Sequence, residues 1–149
     1  MRNLFGAVAP SVVICIFELA DPAAADGAFA VGVPKDVAND GFSYGWTVGK
    51  AGVEEARSVA MEFCRKGRTG PDSGAIAAKK LCTIVGVFRD KCVAVSMDPG
   101  DGTPGVGWAI AATKDEAEAE ALDNCKSTAG RSRAKFCQLS NSACDGDAK

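Results

Sequence analysis

Tyr44-Gly45-Trp46 and Val106-Gly107-Trp108 are the two stretches whose reading decides the fold. Each opens the same succession. After the first come an alanine-rich segment ending at Cys64, then Cys82 and Cys92. After the second come an alanine-rich segment ending at Cys125, then Cys137 and Cys144. Self-similarity at a period of about 60 residues reads as one structural unit used twice.

Working outward, each unit begins with a short apolar run, Ala28–Val33 and Cys92–Met97, of the kind that forms strands. Turn-forming residues follow, Pro34–Gly41 with Asn39-Asp40-Gly41, and Asp98–Gly105 with Asp101-Gly102. The Gly-Trp pairs sit on the second strand of each unit. The alanine-rich segments are helical. Thr113 and Glu116 form a capping box, and Ala117, Ala121 and Cys125 recur on one face beside Leu122. In the first unit Val53, Ala56, Ala60, Phe63 and Cys64 follow the same spacing. A third strand begins near a cysteine, Cys82–Phe88 and Cys137–Cys144. Gly67–Lys80, rich in Gly, Ala and Lys, reads as a long, mobile loop between helix and strand. The expectation is an α+β fold: a duplicated strand–strand–helix–strand unit, a mainly antiparallel sheet with two packed helices, stapled by disulfides. A partly closed barrel is the alternative that pattern alone leaves open.

Residues 1–25 have the form of a cleaved leader. Arg2 supplies the positive start, Val12–Phe17 the apolar stretch and Ala23-Ala24-Ala25 the small residues for cleavage. The expected organisation is therefore a signal peptide over 1–25 and one domain over 26–149, with repeats of about 26–91 and 92–149. The leader takes Cys15 with it and turns seven cysteines into an even set. An even set in a small exported domain reads as a disulfide framework. Equivalent positions should be bridged equivalently. That pairs Cys64 with Cys82 and Cys125 with Cys137, leaving Cys92 and Cys144 to join the ends of the two halves. A metal site is the rival reading, but there is no C-x-x-C pair and no histidine.

The absence of histidine from the 149 residues removes Ser-His-Asp and Cys-His catalysis as well. The net charge of −2 argues against a dedicated nucleic-acid binder.

The order Gly27-Ala28, Tyr44-Gly45-Trp46, alanine-rich helix, Cys64, Cys82-Thr83-Ile84-Val85, Phe88-Arg89, Cys92, Gly107-Trp108, Thr113-x-x-Glu116-Ala117-x-Ala119, Cys125, Cys137 resembles the bacterial domain-of-unknown-function family 4189. The resemblance runs from about Gly27 to Cys144 and implies a small exported protein. It implies no established reaction and carries over no catalytic residues.

Two groups of residues are candidates for binding. Tyr44, Trp46 and Trp108 are either packing residues or aromatic anchors for a partner. Arg65, Lys66 and Arg68, with Lys79 and Lys80, cluster at a helix end, and Arg131, Arg133 and Lys135 occupy the matching loop of the second unit. They either complement helix dipoles or form two basic patches for an anionic partner. Glu54, Glu55, Asp115, Glu116, Glu118 and Glu120 read as solvated helix faces rather than an acid/base pair. Asp98 and Asp101 lie in an acidic turn that lacks the register of a calcium loop.

The reading is an exported module, periplasmic or extracellular, that acts by binding an unknown protein or envelope component, with no cofactor and no metal. The alternatives are a histidine-independent carboxylate hydrolase acting on envelope glycan, and a structural envelope protein.

Overall fold

A computed structural model describes residues 26–66 and 76–149. The leader, Cys15 and Arg68 lie outside the described residues. The order is β1 (Asp26–Gly32), α1 (Val37–Asp40), β2 (Ser43–Lys50), α2 (Val53–Lys66), α3 (Ile76–Lys80), β3 (Thr83–Phe88), β4 (Cys92–Met97), β5 (Val106–Ala111), α4 (Lys114–Ala129) and β6 (Gln138–Cys144), with a short 3-10 turn at Ala134–Phe136 before β6.

The strands divide into two antiparallel sheets, ordered β2-β1-β3 and β5-β4-β6. The central strands explain the division. In β1, Phe29 and Val31 alternate with Ala28 and Ala30; in β4, Val93 and Val95 alternate with Cys92, Ala94 and Ser96. All of them are buried. A strand buried on both faces needs a partner layer on each. Phe29, Val31, Trp46 and Phe88 therefore pack against Val93 and Val95 of the facing sheet, with Trp108 and Ile110 beside them. On the outside, Ala56, Ala60 and Cys64 of α2 close on Ala28 and Ala30. Ala117 and Ala121 of α4 close on Cys92, Ala94 and Ala109. The layers run helix, sheet, sheet, helix. One continuous sheet with both helices on one face would have left the Phe29 and Val95 side in water.

The two seams between helix and sheet are made without large side chains. A Cβ at Gly45 would lie 2.3 Å from the Cys64 amide nitrogen and 2.5 Å from the Ala60 carbonyl oxygen. A Cβ at Gly107 would lie 2.2 Å from the Ala121 carbonyl oxygen and the Cys125 amide nitrogen. These glycines let a helix backbone rest directly on a strand. Phe63 does not share this seam: it is 37% exposed, one residue before Cys64 and turned off the alanine stripe.

The halves match in register as well as order. Phe29 faces Trp46 and Ala30 faces Gly45, as Val95 faces Trp108 and Ser96 faces Gly107. Each central strand shifts register against its third strand at the same place, between Phe29 and Ala30 and between Val95 and Ser96. The match sets Asp26 level with Cys92, two residues earlier than the apolar runs suggest.

Disulfides join Cys64 to Cys82, Cys125 to Cys137 and Cys92 to Cys144. The last does not join the ends of the two halves: it links facing residues of β4 and β6 and closes the second half on itself. In the first half an ion pair holds the equivalent place, with Arg89 donating to Asp26 at 2.8 Å.

Two elements depart from the turns and loops read in the sequence. Asp36 caps a single helical turn by accepting from the Asn39 N–H, inside a segment read only as a turn. Ile76–Lys80 is helical within a stretch read as loop. It is pinned by Ala78, which is fully buried and whose carbonyl lies where a Cβ of Gly32 would fall.

Candidate functional site

The cations of the first half are placed by the ends of two helices and one disulfide. α2 finishes with Arg65 and Lys66, and α3 with Lys79 and Lys80. Cys64, the residue before Arg65, is bridged to Cys82, two residues after Lys80. The bridge thus fixes the two cationic ends beside each other. Arg65, Ile76, Lys79 and Lys80 line a groove of about 380 Å³. Among the described residues no carboxylate lines it. Lys66 stands apart: it pairs with Glu62 one turn back, and its hydrogen bond lowers the Glu62 carboxyl below its ordinary value. Of the three cations singled out as Arg65, Lys66 and Arg68, only Arg65 reaches the groove among the described residues. Lys79 and Lys80 complete it.

The matching corner of the second half is shut. Arg133 donates to both oxygens of Asp98 at 2.7 Å, while its guanidinium lies 4.4 Å from the centre of the Phe136 ring. The Asp98 side chain is fully buried and also accepts from the Gly100 N–H at 3.0 Å. The Arg133 hydrogen bonds hold the Asp98 carboxyl below its ordinary value. This settles one reading of the cations and agrees with the reading of the acidic turn. Arg133 belongs to an internal ion pair and not to a second basic patch. Asp98 has its oxygens occupied and offers no ligand in the acidic turn. Among the described residues, no group of three or more acidic or cysteine side chains is placed to hold a metal.

The aromatic residues form a series between the sheets. Tyr44 stacks on Trp46 with centroids 5.5 Å apart, and Phe42 stacks on Trp108 at 5.7 Å. Phe42 also meets Tyr44 at 5.5 Å. Trp46 is 4% exposed, so it is core and unavailable as a surface anchor. Trp108 is half-buried, and Asn124 donates to its carbonyl oxygen at 2.9 Å. Tyr44 is half-buried and bonds through its hydroxyl to Ser140 of β6 at 3.1 Å. The structure therefore separates the aromatic candidates from the cationic ones.

The helix carboxylates are spread over wet faces or already engaged. Glu116 completes the Thr113 capping box. Glu118 accepts from Ser142 and pairs with Lys114, and Glu55 pairs with Lys50. Sequence reasoning passed over one carboxylate. Asp145 is fully buried, its Oδ1 accepts from the Gly49 N–H at 2.7 Å, and its Oδ2 has no hydrogen-bond partner. It ties the second half's last strand to β2 of the first. Its only sequence signal is its place directly after Cys144.

No curated protein and no solved structure gives a match to the chain. Residues 27–144 match the family described as "Domain of unknown function (DUF4189)". That span takes in both sheets, both long helices and all three disulfides, and the chain belongs to this family.

Proposed function

We propose that the chain is an exported, disulfide-stapled binding module, one duplicated domain over residues 26–149 behind a cleaved leader of residues 1–25. It engages an anionic component of the cell envelope through the first half. The observation that carries this reading is the groove of Arg65, Ile76, Lys79 and Lys80, which gathers three cations with no carboxylate among the described residues lining it. Cations beside helix C-termini are favourable in themselves. Here, though, Asp123 pairs with Lys126 and Asp98 with Arg133 in the second half, whereas no carboxylate among the described residues lines the groove of the first. Three disulfides fit an oxidising compartment. No helix among the described residues is long and apolar enough to cross a membrane.

The hydrolase reading draws no comparable support, because the candidate acids sit in caps, ion pairs and solvent.

The test is retention of the oxidised protein, produced by export of the full chain, on immobilised envelope fractions. Salt should release it, because exposed charges are screened. Lys79→Glu/Lys80→Glu should abolish retention. Equal retention of that variant and the natural protein would refute the reading. Sequencing the exported protein's N-terminus should give Asp26; an intact Met1 would overturn the leader.

A further inference from the structure

We propose that the end of the first half formed by α3 and the last turn of α2 docks on an anionic lipid bilayer, with Arg65, Lys79 and Lys80 at the phosphates and Ile76 and Leu81 entering the headgroup boundary. This rests on the binding-module reading above and names its ligand class.

The groove alone would suit any polyanion. What selects a bilayer is the apolar surface around it. Ile76 is 57% and Leu81 49% exposed, the two most exposed of the large apolar side chains among the described residues; Ile76 opens α3 and Leu81 follows its last residue. Val33, 40% exposed, follows Gly32, the residue that lies against the α3 backbone. A soluble polyanion gives such side chains nothing to enter. A bilayer surface gives cations and apolar side chains separate partners a few ångströms apart in depth.

The rigid frame favours this arrangement. Ala78 is buried, Leu81 N–H bonds the Ala78 carbonyl at 3.0 Å, and Cys82 is bridged to Cys64. Ile76, Lys79, Lys80 and Leu81 are thereby held on one short, anchored turn, so little ordering is needed on docking. The matching corner of the second half is engaged internally. Its exposed Phe136 lies under Arg133, which is bound to Asp98.

The experiment is co-sedimentation of the oxidised protein, exported from the full chain, with phosphatidylglycerol vesicles and with phosphatidylcholine vesicles. Dextran sulfate on beads serves as a soluble-type polyanion. The expected result is sedimentation with the anionic vesicles only. Lys79→Gln/Lys80→Gln should weaken the partition coefficient roughly 30-fold, from about fivefold per cation. Ile76→Ser/Leu81→Ser should weaken it about tenfold or more while leaving capture on dextran sulfate unchanged. All four positions are partly or fully exposed, so the fold should survive, which an unchanged melting curve checks.

Vesicle binding that ignores Ile76→Ser/Leu81→Ser would overturn the proposal, because it would then be a phosphate contact alone. Capture on dextran sulfate without vesicle binding would overturn it and leave the module reading standing. Failure on both supports would overturn the two together.

Discussion

Replacing Gly45 with alanine puts a methyl 2.3 Å from the Cys64 amide nitrogen and 2.5 Å from the Ala60 carbonyl oxygen. Both obstacles are helix backbone, which cannot rotate away. The deficit from ordinary contact is about 1 Å, and a gap of that size forfeits roughly a quarter to a half of the dispersion attraction along a seam. Here the seam is all of Ala56, Ala60 and Cys64 against Ala28 and Ala30. The expected loss is therefore at the upper end for overpacking, about 3 kcal/mol, or roughly 12 °C in Tm for a domain of this size. Gly107→Ala should lose a similar amount, since its obstacles are the backbone of Ala121 and Cys125. Gly86 is the control. A methyl there would meet only the tip of the Ile110 side chain at 2.4 Å. Gly86→Ala should cost less than about 1 kcal/mol, and adding Ile110→Val should remove the cost, because the obstructing Cδ1 is gone. Urea denaturation with disulfides intact reads all four variants. Equal stability of Gly45→Ala and Gly86→Ala would refute the claim that α2 rests on the strand backbone.

Other outcomes follow from the same structure. Removing the disulfides pairwise by serine should cost about 3 kcal/mol each for Cys64/Cys82 and Cys125/Cys137 and about 4 kcal/mol for Cys92/Cys144, following the lengths of chain they close; calorimetry that inverts this order would contradict it. Asp98 has a folded-state value below its ordinary 3.8, so its contribution is complete above 3.8 and fades as pH falls through the lower folded value. Asp98→Asn should thus be less stable than the natural protein near neutrality and level with it at strongly acid pH; an unchanged gap at both would rule the linkage out. Asp145→Ala should cost about 0.5–1.5 kcal/mol by removing the hydrogen bond to the Gly49 N–H, while Asp145→Asn keeps an acceptor and should cost clearly less. Identical urea midpoints for these two variants would show that the bond to Gly49 is unimportant.

The helices and strands were legible because their signals are local. Thr113 with Glu116 announces α4, and the cysteines at 64, 82, 125 and 137 pair as the repeat requires. The partition into two sheets was less visible. It depends on which faces of β1 and β4 are buried, and alanine gives little hydrophobic contrast to mark the second face. The short link Arg89-Asp90-Lys91 carries the chain across from one sheet to the other, with Asp90 at φ 51°. At the candidate site, Arg65 was visible as part of a cationic cluster. Lys66 and Arg133 could not be told from it, because their neutralising partners are Glu62, one helical turn back, and Asp98, which only the tertiary fold brings near. The burial of Trp46 was the packing reading of a residue that sequence alone left open.

The exchange of an ion pair for a disulfide at matching places has a kinetic consequence. β6 is held covalently at both ends, by Cys137 just before it and Cys144 at its finish. β3 is held covalently only at its start, through Cys82, and at its finish by Arg89 on Asp26, with Arg89 half in solvent. An ion pair with one partner half in solvent is a weaker clasp than a covalent bond. Local opening should therefore begin at Val87–Arg89, and amide protons there should exchange with solvent sooner than those of Ala143 and Cys144. Added salt would widen the difference and reductant would narrow it, so the two halves of one architecture answer to different chemical conditions.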